Sequence, residues 1–452
     1  MSSDAKTRRL DCGTAAVDRI SNLPRNIIDL IFDCLPIHDA ARTSVLSKTW
    51  SALWGLYPNL VFDEFFFDQL LYDKDEQDPN VLLEVTRTIS DILLVNRGPI
   101  LKFHLFVPDD LPLHQYRHMD LWIRNISNHG VRQLELFYDP PTAYKMPSYL
   151  FSCSELTHLC LTNCILNPPL RFGGFSNLIE VKLQEVIITG NVLFGSHLKV
   201  LKLRFCDGIE NLESQFKQNH SIINLVIQNS GEIDFTWFEC TRKVQKFCLM
   251  LEREADSRKN YINLDKLVGN MTEIRILRFD GFLLKLLDPS AAVSKRIITT
   301  MKNLKHLFLY TVEFYDMVQI QHVFHLMRSS PKLRSLYIKV KREKRQKREV
   351  EDADGMDLAQ SREVMVASVV HCLQSPNFMD MVLDHLKTVK ILGMVGSRAE
   401  LEFIKLLLAS SPSLRRIEIL NTAVNDPKEE SRISRVLMQF PRASTAAQII
   451  WT

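Results

Sequence analysis

Cysteine and histidine side chains can act as nucleophiles, bases or metal ligands, and this sequence contains 9 cysteines and 13 histidines. The cysteines extend from Cys12 to Cys372 without a Cys-x-x-Cys pair, a spacing that suits neither a structural zinc site nor a disulfide framework. The sequence has no phosphate-binding glycine loop, no HExxH, no GxSxG and no kinase motif. The histidines are scattered, and His129, His158 and His306 are interpreted as surface or packing residues. We therefore expect no intrinsic catalysis, no metal and no cofactor.

Charged and aromatic side chains offer a different chemistry, which is non-covalent binding. Arginine and exposed aromatic residues anchor many protein interfaces, and a basic stripe attracts acidic or phosphorylated segments. Period-two alternation within the predicted strands turns nine such residues outward and makes them the candidate binding surface. They are Lys182, Lys202, Arg204, Lys246, Arg278, Asp280, Phe308, Tyr310 and Tyr337.

A repeated pattern, L-x-x-L-x-L-x-x-N/C, positions these residues. Its clearest copy is 156–164, and further copies start at residues 178, 198, 222 and 244. Looser copies start at residues 100, 131, 274, 304, 333, 386 and 414. Spacings of 20 to 24 residues between the clear copies are typical of leucine-rich repeats, in which each copy adds a short parallel strand and neighbours stack to bury the leucines. Cys164 and Cys206 occupy the N/C position, which predicts a packing role for both thiols.

The composition is that of an ordinary soluble globular protein, with 46% hydrophobic and 24% charged residues in a chain of 452. The formal net charge is only +3, so no global field attracts nucleic acid or an anionic membrane. The segment 1–9 lacks the apolar core of a secretion signal, and no stretch approaches the ~18 apolar residues of a membrane span. We expect an intracellular protein of the nucleus or cytoplasm that contacts neither membrane nor nucleic acid directly.

Residues 18–54 form a compact apolar block that is predicted to fold as three short helices. Pro24 suits a first helical turn, Pro36 ends the first helix, and Ser47 is placed to cap the third. A unit this small buries too little surface to be comfortably stable alone. It is therefore either a cap packed on the following domain or a module whose apolar face binds a partner.

The block resembles an F-box motif, with both Leu-Pro pairs and the Ser-x-x-Trp ending. In that family the motif binds the adaptor Skp1, which links it to a cullin and a RING subunit. The resemblance implies a receptor subunit of an SCF-type ubiquitin ligase. It places at the Skp1 interface Leu23, Pro24, Ile28, Ile31, Leu35, Pro36, Asp39, Ala41, Val45, Leu46, Ser47 and Trp50.

The last third of the chain begins with a basic run followed by an acidic one, within a segment predicted to be a flexible loop at 341–360. Whether the basic run is a nuclear-import signal stays open at this point. A helix predicted over 362–373 follows, and then a strand, an amphipathic helix around 401–408 and another strand. Together with residues 433–444 this segment is similar to the FBD region that follows leucine-rich repeats in many plant F-box proteins, which implies a plant protein.

These features predict an α/β fold: an N-terminal three-helix F-box, then an irregular leucine-rich-repeat solenoid with a C-terminal FBD-like cap. The predicted boundaries are 1–15 for a disordered N-terminus, 16–60 for the F-box, 61–98 for a helical connector, 99–340 for the repeats, 341–360 for the charged flexible loop and 361–452 for the FBD-like terminal repeats and cap.

The predicted function is the non-catalytic substrate-recognition subunit of an SCF-type ubiquitin ligase, with the repeats binding an unknown protein client. Two alternatives stay open. One is a leucine-rich-repeat interaction scaffold that enters no ligase, and the other is a receptor that needs a small-molecule co-ligand. The sequence specifies neither the client nor its degron.

Overall fold

The structure is a computed structural model that describes residues 20–72, 74, 78–109, 111, 117–212, 215, 220–231, 233–251, 261–289, 301–341, 354–420 and 427–451. It divides into two compact units, Met1–Gln133 and Leu134–Thr452. The predicted disordered N-terminus (1–15) lies outside the described residues, as do residues 342–353 of the predicted charged loop.

Short helices and short strands alternate along much of the chain. The helices are α1 (Arg25–Asp33), α2 (Ile37–Arg42), α3 (Lys48–Trp54), α4 (Glu64–Leu71), α5 (Pro79–Val95), α6 (His118–Asn128), α7 (Leu264–Val268), α8 (Gly281–Leu286), α9 (Met317–Arg328), α10 (Asp354–Leu373), α11 (Pro376–Met379), α12 (Arg398–Ser410) and α13 (Pro427–Met438). The strands are β1 (Asn59–Phe62), β2 (Lys102–Val107), β3 (Gln133–Tyr138), β4 (Tyr144–Lys145), β5 (His158–Thr162), β6 (Cys164–Leu166), β7 (Glu180–Gln184), β8 (Ile187–Ile188), β9 (Val200–Arg204), β10 (Asn224–Gln228), β11 (Lys246–Met250), β12 (Ile276–Asp280), β13 (His306–Val312), β14 (Ser335–Val340), β15 (Thr388–Leu392), β16 (Arg416–Leu420) and β17 (Gln448–Trp451).

The three helices predicted at the start of the chain are all present, as α1, α2 and α3. Pro24 and Pro36 are the N-cap residues of α1 and α2, where the missing N–H of proline costs no helical hydrogen bond. The Ser47 hydroxyl accepts a hydrogen bond of 3.2 Å from the Trp50 amide and so caps α3. A 3₁₀ turn, Thr43–Val45, links α2 to α3.

The core of this three-helix block is aromatic and is continued by the residues that follow it. The Phe32 ring lies 5.8 Å from Trp50, 5.9 Å from Trp54 and 5.1 Å from Tyr57, in edge-on arrangements that aromatic pairs favour. Within the same unit, β1 pairs in parallel with β2, and His38 of α2 contacts Phe66 of α4. The block therefore leans on its neighbours, as its small size requires.

The second unit contains a parallel sheet to which every predicted repeat from residue 131 onward contributes a strand. The order runs β3, β5, β7 and β9, and then from β10 to β17 in sequence order. The register aligns the repeat leucines, so that Leu159 lies beside Val181, Val181 beside Leu201 and Leu201 beside Leu225. These side chains are fully or almost fully buried. Each repeat is thus covered by its neighbours, as a stacked repeat array demands.

In each of four consecutive repeats the strand is followed directly by a residue in the left-handed backbone region, at Asn163, Glu185, Phe205 and Asn229. The amide of each donates a hydrogen bond of 2.8–2.9 Å to the last carbonyl of the next strand. The turn therefore directs the following residue inward without breaking the ladder. Beyond it, β4, β6 and β8 form a second, three-stranded parallel sheet that the sequence pattern did not predict.

Cys164 and Cys206 take the inward position after this turn and are fully buried. The Cys206 thiol donates to the carbonyls of Leu183 and Arg204, and Ser230 takes the equivalent place one repeat later. Burial raises the pKa of Cys206 to about 11. A thiol that stays protonated is a poor nucleophile, which fits the packing role expected for both residues.

Asp280 does not lie on the outward face where strand alternation placed it. Its side chain is 0% exposed, and its two carboxylate oxygens accept 2.9 Å hydrogen bonds from the amides of Leu251 and Leu283. It is the N-cap of α8, which begins at the very next residue. That residue is Gly281, where a Cβ atom would come within 2.2 Å of the Thr311 carbonyl oxygen. The sharp turn into α8 takes Asp280 into the core.

The C-terminal segment extends the sheet with the predicted alternation of strands and helices. Helix α10 begins at Asp354, so it includes residues that were predicted to belong to the charged loop. Helix α12 is fixed at its start by reciprocal hydrogen bonds between Ser397 and Glu400, and it buries Phe403, Ile404 and Leu407. Strand β17, which the repeat pattern did not predict, pairs with β16 and continues the sheet beyond it.

Helix α9 buries two histidines, and they make the fold sensitive to acid. His325 is 6% exposed, and its Nδ1 atom has no hydrogen-bond partner among the described residues. Burial, reinforced by His322 and by the charge of Arg328, lowers the pKa of His325 to about 4. The unfolded chain therefore binds this proton at a higher pH than the folded chain. The stability contribution is complete above pH ~6.5 and is lost as the pH falls towards 4.

We expect His325→Leu to flatten the pH dependence of the melting temperature between about pH 7 and pH 5, because it removes a group that binds a proton more readily in the unfolded chain than in the folded one. Thermal unfolding followed by circular dichroism measures this. His197→Gln, which changes an exposed histidine in the same unit, is the matched control and should keep the wild-type slope. An unchanged slope in the leucine variant would contradict the assignment.

We expect Asp280→Ala to lower the free energy of unfolding by about 2–4 kcal/mol, because it removes a helix cap and leaves two buried amides without their acceptor. Asp384→Ala, at an exposed aspartate of the same unit, should stay within about 0.5 kcal/mol of the wild type. Chemical denaturation of both variants tests this. Equal, small effects would show that the Asp280 carboxylate contributes little.

Candidate functional site

The first unit presents apolar side chains that its own core does not use. Helix α1 carries a broad apolar stripe that its own core covers only in part. Ile28 and Phe32 are buried, whereas Ile27 and Leu30 of the helix, and Leu23 just before it, remain partly or largely exposed. Ile27 and Leu30 are three residues apart, the spacing of one helix face. Leu30 is 57% exposed, so this part of the apolar stripe is uncovered.

Two further apolar residues are exposed where the 3₁₀ turn leads into α3. Val45 is 84% exposed and Leu46 is 68% exposed. Neither contributes to the cluster around Phe32. Scattered single apolar residues are normal on a protein surface, but an adjacent pair exposed to this degree is a candidate for a binding surface. We refer to Leu23, Ile27, Leu30, Val45 and Leu46 as the exposed F-box residues.

The structure distributes the predicted adaptor-binding residues between surface and core. Exposed are Leu23, Pro24, Val45, Leu46 and Ser47. Half-buried are Ile31, Leu35, Pro36, Asp39 and Ala41. Ile28 and Trp50 are buried, so they hold the helices together in this structure. Ile27 and Leu30 were missed by the motif comparison, although helical spacing places both on one face of α1.

Polar contacts lock the same helices in place. Arg25 forms a 2.9 Å ion pair with Asp29 and donates a 2.9 Å hydrogen bond to the Leu53 carbonyl, which ties α1 to α3. The Tyr57 hydroxyl donates a 2.5 Å hydrogen bond to Asp33, and burial together with this carboxylate raises the pKa of Tyr57. The exposed F-box residues therefore stand on a preorganised support, which reduces the entropy lost on binding.

The second candidate surface is the outward face of the sheet, and the strand register gathers the predicted residues there. Lys182 lies beside Lys202 on the neighbouring strand, and Arg278 lies beside Phe308, which in turn lies beside Tyr337. Between the two groups the same row contains Val226 and Cys248. Arg204, Lys246 and Tyr310 lie two residues along their strands and so face the same way. Asp280 is the exception already described.

One part of this face is basic. The outward positions of β7, β9, β10 and β11 carry Lys182, Lys202, Arg204 and Lys246 against a single acid, Glu180. Glu180 forms a 2.8 Å ion pair with Lys182. The pKa of Lys202 is lowered, by burial first and then by its positively charged neighbours. We refer to these four basic residues as the basic cluster, and its charge exceeds what Glu180 can neutralise.

Aromatic side chains follow on β13 and β14. The ring centroids of Phe308 and Tyr337 are 5.8 Å apart, and those of Tyr310 and Tyr337 are 5.5 Å apart. The guanidinium carbon of Arg278 lies 4.7 Å from the centroid of the Phe308 ring, a cation–π contact that fixes both side chains. We refer to Phe308, Tyr310 and Tyr337 as the aromatic cluster. All three rings are half-exposed.

Phe205 is a surface residue that sequence reasoning missed. It follows Arg204 directly, is 40% exposed and has a φ of 52°, in the left-handed region. Asparagine tolerates this conformation well and occupies the equivalent turns at Asn163 and Asn229, whereas a bulky residue is strained there by about 1–2 kcal/mol. Strain at an exposed aromatic residue beside charged groups is a reason to look for function.

Part of the charge on the later strands of the same face is paired within the chain. Glu418 forms ion pairs of 3.4 Å with Lys390 and 2.6 Å with Arg416. Arg278 of β12 and the exposed Lys339 of β14 add further cations, so the positive charge of this face extends beyond β7 to β11. The overall net charge conceals this local excess.

A cavity of about 600 Å³ lies between α9 and α10. Its wall includes Gln321 and Arg328 of α9 and Val364, His371 and Cys372 of α10. The lining residues belong to helices and the turn after α10, so the cavity does not open onto the outward strand face described above.

Metal-ligand clusters and membrane-spanning helices are both missing from the described residues. Across the part of the chain that the structure describes, no group of three His, Cys, Asp or Glu residues is arranged to hold a metal ion. Over the same residues, no helix combines the length and apolar character needed to cross a bilayer.

Known families match both units. The F-box domain model matches residues 20–61, which contain α1 to α3 and most of β1. A leucine-rich-repeat model, described as "At1g61320/AtMIF1, LRR domain", matches residues 99–229, which extend from β2 to the end of β10. The first match covers the exposed F-box residues, and the second covers Lys182, Lys202, Arg204 and Phe205.

Full-length relatives come from Arabidopsis thaliana. F-box/FBD/LRR-repeat protein At1g13570 is 29% identical over 449 residues, covering 96% of this chain and 98% of that protein. F-box/FBD/LRR-repeat protein At5g56420 is 24% identical and covers 96% and 99%. A solved leucine-rich-repeat protein of Leptospira interrogans covers 79% of this chain and 85% of its own, with 14% identity and a TM-score of 0.36, too low to carry an argument.

F-box proteins with leucine-rich repeats are in general non-catalytic receptor subunits, and an F-box in general implies a Skp1-type partner. The predicted order of F-box, repeats and FBD-like end agrees with relatives that match along almost the whole chain. The predicted α/β architecture is confirmed as well. The predicted resemblance is confirmed: the chain contains matches to the F-box and leucine-rich-repeat models and is similar along almost its whole length to plant F-box/FBD/LRR-repeat proteins.

Proposed function

We propose that this protein is the substrate-recognition subunit of an SCF-type ubiquitin ligase. The F-box would bind a Skp1-like adaptor and, through it, a cullin and a RING subunit, while the outward sheet face binds a protein client. The observation that carries the proposal is how α1 uses its apolar side chains. Phe32 packs in the core with Trp50 and Trp54, whereas the apolar side chains on the other side of the helix stay exposed.

Burial of these exposed apolar side chains would favour binding of a partner protein. A fully buried leucine-sized side chain is worth about 1.5–3 kcal/mol relative to an exposed one. Covering these five partly exposed apolar residues in an interface would therefore contribute several kcal/mol to binding. A stable interface of the usual size, ~1,200–2,000 Å², is within reach if flanking residues join them.

The proposed mechanism is proximity. The chain itself forms and breaks no covalent bond in this mechanism. It holds the client near an activated ubiquitin that other subunits supply, so the attack of a client lysine becomes effectively intramolecular. Binding through separate surfaces on the two units is what the mechanism requires, since adaptor and client must be held at the same time.

The exposed pair Val45 and Leu46 provides a direct test. We expect the double substitution Val45→Gln and Leu46→Gln to weaken binding to a Skp1-like adaptor at least ten-fold. Two apolar contacts are lost, and a loss of about 1.4 kcal/mol of binding free energy corresponds to a factor of ten in affinity. Leu23→Ala with Pro24→Ala should likewise abolish co-purification while the repeats stay folded. Co-purification and isothermal titration calorimetry with purified adaptor measure the effect.

The matched control is Leu94→Gln with Val95→Gln, which changes another exposed apolar pair of the same unit. It should bind the adaptor as the wild type does. If the wild-type chain forms no 1:1 complex with the adaptor, the interaction-scaffold alternative is favoured. If the Val45 and Leu46 variant binds normally, the exposed F-box residues are not the docking surface.

A further inference from the structure

The outward strand face combines an uncompensated charge with an apolar surface. Lys202 has Lys182, Arg204 and Lys246 as positively charged neighbours and Glu180 as an acidic one, and no ion pair to Lys202, Arg204 or Lys246 is found among the described residues. An anionic ligand would restore the balance and relieve the repulsion among these side chains. Charge complementarity therefore indicates a negatively charged occupant over β7 to β11.

The same face offers an apolar binding surface a few strands away from the basic cluster. Val226 and Cys248 form a nearly buried apolar floor beside the basic cluster, and the half-exposed rings of Phe308, Tyr310 and Tyr337 follow. Arg278, on the strand between the two clusters, lies with its guanidinium 4.7 Å from the centroid of the Phe308 ring. Aromatic rings held in place by neighbours are typical anchors for a bulky apolar side chain.

The distance between the two clusters sets a spacing in the ligand. Four strand steps separate β9, which carries Lys202, from β13, which carries Phe308. At about 4.8 Å per step, this is about 19 Å along the sheet. An extended peptide advances about 3.3 Å per residue, so about six residues cover the distance.

We propose that the face from β7 to β14 binds an extended client segment that carries an anionic cluster and, about six residues away, a bulky apolar side chain. The anionic cluster contacts Lys182, Lys202, Arg204 and Lys246, and the apolar side chain packs against the aromatic cluster. Phe205 adds an exposed ring at the rim beside Arg204. The inference rests on the proposed function, because it names the class of client that the receptor selects.

The test uses the full-length chain without adaptor and fluorescein-labelled peptides. Each peptide carries an acidic triplet and a Leu-Phe pair, spaced either two or about six residues apart. A second series replaces the acidic triplet by phosphoserines, which distinguishes the two sources of negative charge. Fluorescence anisotropy should show binding at the longer spacing, at least ten-fold weaker binding at the shorter one, and weakening as salt rises.

Matched variants connect the binding to this face. Lys202→Glu with Lys246→Glu should weaken peptide binding at least ten-fold. Lys199→Glu with Lys243→Glu makes the same change of charge at two exposed lysines outside the clusters and should bind as the wild type does. Phe205→Asn should weaken binding while the melting temperature stays equal or rises, since asparagine accepts the left-handed turn. A purely structural phenylalanine would give the opposite pattern.

Each outcome bears on the inference. Tighter binding of the phosphorylated series supports it and identifies phosphate as the source of charge, whereas equal binding supports carboxylates. If neither peptide series binds, or if the two double-lysine variants lose binding equally, the inference is overturned. If wild-type chain binds the adaptor while these peptides fail, the receptor function stands and only the client class is wrong. Peptide binding without adaptor binding would support the ligand class and count against the receptor function.

Discussion

The fixed register between neighbouring parallel strands is the constraint on which the second unit depends. It places a leucine, valine or isoleucine of one repeat beside the equivalent apolar residue of the next repeat, so that neighbouring repeats cover each other. The left-handed turn after the strand, seen at Asn163, Glu185, Phe205 and Asn229, preserves this register by donating to the next strand. The same register has a functional consequence, because it arranges outward residues from distant parts of the sequence into continuous rows.

Much of this arrangement can be predicted from the sequence because it follows from local rules. The leucine spacing predicts the strands, and alternation predicts that Lys182, Lys202 and Arg278 face outward. Alternation fails at Asp280, where a helix begins one residue later and the carboxylate becomes its cap. That exception depends on a close approach between Gly281 and Thr311, two segments that a repeat pattern does not connect.

The residues that sequence reasoning missed share a physical reason. Leu30 is invisible to a motif comparison because the motif records residue types, whereas exposure depends on which face of α1 the Phe32 cluster occupies. The residue type of Phe205 does not single it out in the sequence. Only its backbone φ angle and its neighbours in the structure do so. The opposite also holds: Ile28 and Trp50 belong to the motif, yet they fill the core. A motif thus identifies the module more reliably than it separates support from contact surface.

The exposed F-box residues must become covered when the adaptor binds if the chain is a receptor subunit. Hydrogen–deuterium exchange of the full chain, alone and mixed with a purified Skp1-like adaptor, measures this most directly. We predict slower exchange in peptides covering α1 and the turn from Thr43 into α3, with unchanged exchange in the strands from β7 to β14. Unchanged exchange over α1 and that turn, with the adaptor at saturating concentration, would contradict the central claim.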